Sequence, residues 1–406
     1  MLELLSREEC WKEFYEYKTS LECPGSAEKE LREFISARGY MPVCEAIYRH
    51  ERFPLPRRAE ISKLGKAKKR VVYTYPAAEN TVLKLLTYLM LRKYDGLFAE
   101  GLYSFRPGRS AKDAVRRLKR TDGIAEMFSY KADISNYFNS VPVPLLLPKL
   151  KKVLDDDGEL FTFLSSLLEE PFVTDGEGPR RDEKGIMAGT PLSSFYANLY
   201  LEELDRHFEE LNTPYARYSD DIILFARSRE ETERHAEYIR AFLAERGLAL
   251  NPEKEFFAAP EEGWTFLGFR CVGDTVDIAP ATVMKLKKKM RRKERALRRW
   301  SDRNGIESER AAKAFIRIFN RKLLESPSDN ELTWSYWFFS VINTADSLRE
   351  IDRYAQDCLR RLISGKRTKA RYNVRYEELK KLGYRSLVHE YYAFPENRSP
   401  SGKPGT

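Results

Sequence analysis

Ala216-Arg217-Tyr218-Ser219-Asp220-Asp221-Ile222-Ile223-Leu224-Phe225-Ala226 decides the reading of this chain. β-forming or apolar residues flank a polar tetrad on both sides, the pattern of a β-hairpin with a polar tip. Two adjacent acids at such a tip cannot be buried unpaired, because their mutual repulsion is costly. They are either plain turn residues or metal ligands.

A second stretch narrows that choice. In Tyr130-Lys131-Ala132-Asp133-Ile134-Ser135-Asn136-Tyr137-Phe138-Asn139-Ser140-Val141, Asp133 ends an apolar-leaning strand and a helix-like segment follows. A carboxylate at a strand end, opposite the hairpin-tip pair in one sheet, makes an oxygen-rich site for Mg²⁺. Two such ions about 4 Å apart activate an attacking 3′-hydroxyl and stabilise a pyrophosphate leaving group, the chemistry of nucleotide addition.

Around these stretches the chain alternates helical and strand patterns. Residues 1–50 read as short amphipathic helices broken at Cys23-Pro24-Gly25 and Tyr40-Met41-Pro42. A basic loop, 63–70, leads to a strand at Val71-Val72-Tyr73, a long helix from about Asn80 to Tyr94, and another helix after Gly108. Strands are expected at Phe128–Ile134, Tyr215–Tyr218, Ile222–Ala226, Phe256–Ala258 and Phe266–Val272, giving an α+β sheet domain. Past Pro280 the pattern is helical and basic to about Phe394, and the polar tail that follows reads as flexible.

Composition excludes several classes. The 406 residues are 42% hydrophobic and 33% charged, which excludes a low-complexity or disordered chain. Five scattered cysteines without a CxxC pair, and only four histidines, argue against a disulfide framework or zinc site. The first residues carry acids and no long apolar core, and no stretch approaches the ~20 apolar residues of a membrane span, so a soluble, cytoplasmic protein without a membrane partner is expected. The net charge of +9 suggests a polyanionic partner. It is concentrated: residues 281–300 hold ten bases and one acid, and residues 360–385 ten bases and two acids. In the first window Val283, Leu286, Met290 and Leu297 share one helical face, with bases around the rest.

The ordered motifs resemble those of reverse transcriptases, specifically the bacterial group II intron-like branch, over about Lys63 to Gly268. Tyr218-Ser219-Asp220-Asp221 is similar to the family's YxDD box, and Asp133 with Phe138 to its first catalytic motif. Tyr103-Ser104-Phe105-Arg106-Pro107-Gly108-Arg109-Ser110 resembles the intron-type sequence before that motif. Gly185-Ile186-Met187-Ala188-Gly189-Thr190-Pro191-Leu192-Ser193-Ser194, then Ala197-Asn198 and Leu204-Asp205, resembles the template-contacting box and its helix. Leu250-Asn251-Pro252-Glu253-Lys254 and Phe266-Leu267-Gly268 resemble the last two boxes.

The resemblance implies an α+β right-hand polymerase with an antiparallel palm sheet and a C-terminal helical thumb. It implies a helical extension at 1–50, fingers and palm at 51–278 (palm mainly 127–141 and 186–272), thumb and maturase-like region at 279–394, and a flexible tail at 395–406. Asp133, Asp220 and Asp221 become the catalytic acids and, with Ile134, the set holding two Mg²⁺ ions. Lys63, Arg70, Phe138, Gly189 and Lys254 become nucleotide contacts, with Phe138 excluding a ribose 2′-OH by bulk and Lys254 donating a proton to the departing pyrophosphate. Arg106, Arg109, Phe266, Leu267, Gly268, Lys285, Lys288, Lys289 and Arg292 become primer and template contacts.

The implied partners are dNTPs, an RNA–DNA duplex and an RNA template, a dedicated structured noncoding RNA copied in antiviral defence. A maturase-like splicing cofactor and an untemplated or protein-primed deoxynucleotidyltransferase are the alternatives. The second draws on one departure: the family's template box usually carries Pro-Gln-Gly, and here it is Met187-Ala188-Gly189. The chain also carries no CxxC or His-Asn-His endonuclease pattern.

Overall fold

A computed structural model describes residues 1–20, 25–62, 69–325, 334–366 and 368–394. Lys63, most of the expected basic loop and the tail from 395 lie outside these residues. Strands in chain order are β1 (Arg57–Ser62), β2 (Lys69–Thr74), β3 (Phe128–Asp133), β4 (Phe172–Thr174), β5 (Pro179–Arg181), β6 (Tyr215–Tyr218), β7 (Asp221–Ala226), β8 (Phe256–Ala258), β9 (Trp264–Phe266), β10 (Phe269–Val272) and β11 (Thr275–Ile278). The helices are α1 (Glu8–Ser20), α2 (Gly25–Ser36), α3 (Met41–Tyr48), α4 (Ala77–Lys93), α5 (Ala111–Arg120), α6 (Tyr137–Ser140), α7 (Val143–Val153), α8 (Gly158–Glu169), α9 (Ser193–Tyr200), α10 (Glu202–Glu210), α11 (Arg229–Glu245), α12 (Pro280–Asn304), α13 (Ser308–Leu323), α14 (Trp334–Phe339), α15 (Asp346–Ser364), α16 (Tyr376–Lys381) and α17 (Leu387–Ala393).

The chain divides into two compact units, Met1–Leu21 with Ser26–Pro260, and Glu22–Gly25 with Glu261–Thr406. The change from strand to helix at 278–280 thus falls inside the second unit, and the helices within 1–20 and 26–48 belong to the first.

The first unit contains two sheets. One runs β6-β7-β3-β8, antiparallel throughout; the other runs β2-β1-β4-β5, with β1 and β4 parallel. Ile222, Ile223, Leu224 and Phe225 are all fully buried, so β7 is apolar on both faces and reads as a continuous run rather than an alternation. On α11, Thr232, Ala236, Ile239 and Leu243 recur at helical spacing, and this face packs on β3 and β7. α9 is buried except at the half-buried Ser194, which fits the sequence Ser-Ser-Phe-Tyr-Ala-Asn-Leu-Tyr with no charged residue.

In the second unit, β9, β10 and β11 form an antiparallel sheet, and α12 packs against α13 and α15. Val283, Met290 and Leu297 are buried as the periodicity of 281–300 requires. The expected single strand over Phe266–Val272 is corrected to two. Leu267 (φ +50°) and Gly268 (φ +90°) both occupy the left-handed region, and Phe266 pairs with Phe269 across them, the geometry of a two-residue hairpin turn. Overall the chain is α+β, as expected, with sheets that are antiparallel except at the β1–β4 pairing. Among the described residues, no helix is long and apolar enough to cross a membrane.

Candidate active site

The three sequence-derived acids meet at one end of the β6-β7-β3-β8 sheet. Asp133 closes β3 and is the register partner of Asp221, the first residue of β7. Asp220 lies in the intervening turn, where its carbonyl accepts the Ile134 N–H at 3.0 Å. On the other side, Asn251 N–H donates to the Asp133 carbonyl at 2.8 Å, and Ser135 N–H to the Ala249 carbonyl at 2.8 Å. The strand end is therefore clamped by both motifs that flank it.

The hairpin turn itself is held from beneath. Ser219 sits at φ +60°, an uncommon conformation for a residue with a side chain. Its N–H donates to Ser104 Oγ at 2.9 Å, and Ser104 Oγ donates to Asn198 Oδ1 at 3.3 Å. Arg217, fully buried, donates from Nε to Asp205 Oδ1 at 2.7 Å and from Nη1 to the Ser219 carbonyl at 3.3 Å. Tyr215 Oη also donates to Asp205. A buried ion pair and a serine–asparagine link thus define the turn that presents Asp220. Asn198 and Asp205 were legible as motif residues; Arg217 and Ser104 acquire their role only in three dimensions.

The carboxylates repel one another. Burial pushes Asp221 up to about 6, with Asp220 and Asp133 adding to the rise. Burial, then the charge of Asp133, also raises Asp220, while Lys254 and Arg70 act in the opposite direction. Lys254 Nζ ion-pairs Asp133 Oδ2 at 2.5 Å. Lys131, Lys254 and Arg70 are thus cations whose fields reach the cluster, Lys131 at Asp221, Arg70 at Asp220 and Lys254 at both. Among the described residues no three acidic, histidine or cysteine side chains stand close enough to form a finished ligand set, and Asp133 is turned to Lys254. The donor chemistry nevertheless fits a hard divalent cation: carboxylate oxygens from two adjacent strands, and a charge repulsion that a cation relieves.

Phe138, on α6, is half-buried with its ring edge-on to Phe105 at 6.3 Å. Its carbonyl accepts the Ile186 N–H at 2.8 Å. Asn139 extends this link: its side chain donates to the Val71 carbonyl at 3.2 Å and accepts the Ala188 N–H at 3.1 Å. The Ala188 carbonyl in turn accepts the Tyr73 N–H at 2.8 Å. Loop 184–190 is consequently laced to both α6 and β2. Gly189, at φ +102°, is exposed, and a Cβ there would lie 3.0 Å from the Tyr73 carbonyl. A side chain there would be strained by the backbone conformation and tight against β2, whatever approaches from outside.

Other expected contacts fall elsewhere. Arg106 is corrected from nucleic-acid contact to structural staple. Its buried guanidinium donates to both Asp95 carboxylate oxygens (2.7 and 3.0 Å) and to the carbonyls of Asp95, Ala99 and Leu102, so a phosphate cannot reach it. Arg109 is partly exposed and bonded to Glu100. In the second unit, Phe266 is fully buried and is corrected likewise, leaving the half-buried turn residues Leu267 and Gly268. Lys285, Lys288, Lys289 and Arg292 are all exposed on α12, at the spacing of a single helical face.

The family model described as reverse transcriptase (RNA-dependent DNA polymerase) matches residues 61–271. Over 185 residues the chain is 28% identical to the "Uncharacterized 91 kDa protein in cob intron" of Schizosaccharomyces pombe, covering 46% of this chain and 22% of that protein. It is 25% identical over 172 residues to the group II intron-encoded protein LtrA of Lactococcus lactis subsp. cremoris, covering 42% of this chain and 28% of that protein. Each alignment thus spans under a third of the relative's length. Among solved structures, apo telomerase from Candida tropicalis aligns over 84% of this chain and 62% of that chain, with 13% identity and a TM-score of 0.48. With its matched segment covering the carboxylate hairpin, the Asp133 strand and the boxes around them, the chain belongs to the reverse transcriptase family.

Proposed function

We propose that this chain is an RNA-directed DNA polymerase that adds deoxynucleotides to a primer on an RNA template. The observation that carries the reading is the register pairing of Asp133 with Asp221, with Asp220 bonded through its carbonyl to Ile134. It sets three carboxylates at one sheet end, as metal-assisted nucleotidyl transfer requires. Asp133, Asp220, Asp221 and the Ile134 carbonyl would hold two Mg²⁺ ions. Bound there, the ions supply activation of the 3′-hydroxyl and stabilisation of the leaving pyrophosphate.

The chain's own residues do the rest. Lys254, already at the carboxylates, is placed to give a proton or a charge to the pyrophosphate. Arg70, whose field reaches Asp220, attracts the triphosphate together with Lys63. Phe138, backed by Phe105 and tied through its carbonyl to Ile186, presents a fixed bulk against the sugar. The exposed basic face of α12 is read as the thumb surface that follows an RNA–DNA duplex by its phosphates. A dedicated structured noncoding RNA as template, and a role in antiviral defence, enter by family analogy and are tested by sequencing the RNA that co-purifies.

The test is incorporation of labelled dNTPs on a primed RNA template with and without Mg²⁺. Activity that needs Mg²⁺ and disappears in Asp133→Ala is expected. Full activity in that variant would falsify the assignment of the acids.

A further inference from the structure

Outside the carboxylate cluster, the first unit has a cavity of about 690 Å³ whose lining includes Arg109, Arg116, Arg117 and Arg120, with Glu100 and Asp113 as its acids. We infer that this cavity binds successive backbone phosphates of a single RNA strand. The choice of RNA rests on the polymerase reading; the anion site itself rests on the geometry.

The arginines are organised rather than merely numerous. The Glu100 carbonyl accepts from Nη1 of both Arg109 (2.8 Å) and Arg117 (3.0 Å), and Glu100 Oε1 accepts from Arg109 Nη2 at 2.6 Å. The Arg109 hydrogen bond lowers Glu100's pKa, so one ionised carboxylate anchors two guanidiniums. Each guanidinium carries five N–H donors, more than these bonds occupy. Asp113 is shared: its carboxylate closes the capping box of α5, accepting from Ser110 N–H at 2.9 Å and from Ser110 Oγ, and its Oδ1 also ion-pairs Arg116 Nη1 at 3.8 Å. Four guanidiniums against two engaged carboxylates leave the cavity positive.

Its walls are fixed to the palm. Ala111, Ala114, Val115 and Leu118 bury the opposite face of α5, which determines the direction of Arg116, Arg117 and Arg120. Tyr103, also lining the cavity, donates its N–H to the Arg217 carbonyl at 3.0 Å, and the next residue, Ser104, holds the catalytic turn. A strand held here is therefore anchored to the same segment that supports Asp220. The part of α5 that lines the cavity, Asp113 to Arg120, extends ~10 Å, whereas a nucleic-acid strand carries one charge per ~3.4 Å of duplex axis. That length accommodates more than one consecutive backbone phosphate.

The experiment measures binding of a labelled single-stranded RNA to the full chain across a KCl series. Arg116→Glu with Arg120→Glu should weaken binding about tenfold or more at low salt, and reduce the slope of log affinity against log salt by about 1.4, the value for two lost contacts to a single strand. Arg116→Lys with Arg120→Lys should retain most of the binding, which separates charge from misfolding. Lys84→Glu with Arg234→Glu, an equal charge change on α4 and α11, should have the smaller effect. Wild-type affinity and slope in the Arg→Glu variant overturn the site, as does an acidic peptide that competes for it where RNA does not. Absence of both RNA binding and dNTP addition in the wild type overturns the polymerase reading as well; dNTP addition with unaltered binding in the variant overturns the cavity alone.

Discussion

Arg217 and Asp205 form an ion pair in which neither side chain has any solvent exposure, and Arg217 also reaches the carbonyl of Ser219 in the turn before Asp220. Removing one member leaves the other charged and buried, which costs roughly 3–5 kcal/mol. Arg217→Ala should therefore lower the denaturant midpoint sharply. Arg217→Met with Asp205→Leu should recover much of that stability, because apolar replacement of both partners avoids the uncompensated charge. The double variant still lacks the bond to Ser219, so dNTP addition should stay impaired after stability returns. Equal recovery of both in paired unfolding and activity measurements would restrict the pair to a packing role.

Asp221 offers the opposite case, a residue whose replacement stabilises. Its carboxylate is buried and repelled by Asp220 and Asp133. Asp221→Asn removes a charge while keeping the shape, so in EDTA the variant should melt about 2–4 °C above wild type, the shift that ~1 kcal/mol produces in a domain of this size. Activity should be lost in the same protein, the trade-off expected of a site built for function. A lower melting temperature in EDTA would show that the carboxylate is satisfied by contacts rather than strained by like charge.

Lys184 precedes the Gly185–Ser194 box and is buried, with Nζ donating to the Leu167 carbonyl at 3.2 Å. Burial lowers its pKa to about 8. The unfolded chain keeps this proton to ~10.4, so between about pH 8 and 10 the unfolded state binds more protons and this group's contribution to stability rises with pH. Lys184→Met preserves the buried aliphatic stem and removes the desolvated charge. The variant should match or exceed wild-type stability at pH 7, and its advantage should shrink as pH rises toward 10. Parallel melting curves across that range would count against the buried-cation account.

These cases show which parts of the molecule can be read from the chain. That Asp133, Asp220 and Asp221 meet at one sheet end was legible, because apolar or β-forming residues flanking the acids specify a strand end and a hairpin tip. The apolar face of α12 was legible from its period. Arg217 was not, since an arginine in the middle of a short strand reads as solvent-facing until Asp205 of α10 is known to lie beneath it. Arg106 failed in the other direction: its motif suggested a ligand, while its burial depends on Asp95, eleven residues upstream in a separate turn. Phe266–Val272 read as one strand because its apolar run continues through the turn; Gly268 was the only local sign of a break.

Phe138 has few ways to move. Its carbonyl is bonded to Ile186, and its ring contacts Phe105 and Tyr137. If it excludes the 2′-hydroxyl by bulk, Phe138→Ala should admit ribonucleotides while leaving Mg²⁺ dependence intact. Competition between dGTP and rGTP on one template reads the effect directly. An unchanged preference for the deoxy sugar in an active variant would assign the ring to packing alone.

The exposed bases of α12 separate two meanings of positive charge. Lys285, Lys288, Lys289 and Arg292 recur at i, i+3, i+4 and i+7, so they form one stripe while Val283, Met290 and Leu297 face inward. A helix that merely needs solvation has no use for a single sign along such a stripe, and like charges at these spacings slightly destabilise it. A helix that follows a duplex does, because each phosphate neutralised releases a counterion and steepens the salt dependence by ~0.9. Reversing all four charges should thus flatten the slope for an RNA–DNA duplex by up to about 3.6, without changing the Mg²⁺ concentration that supports half-maximal activity at saturating duplex. The stability of the variant should not fall, since all four side chains are exposed. If duplex affinity and salt slope match those of wild type, the stripe is a solvated surface and the duplex is held elsewhere.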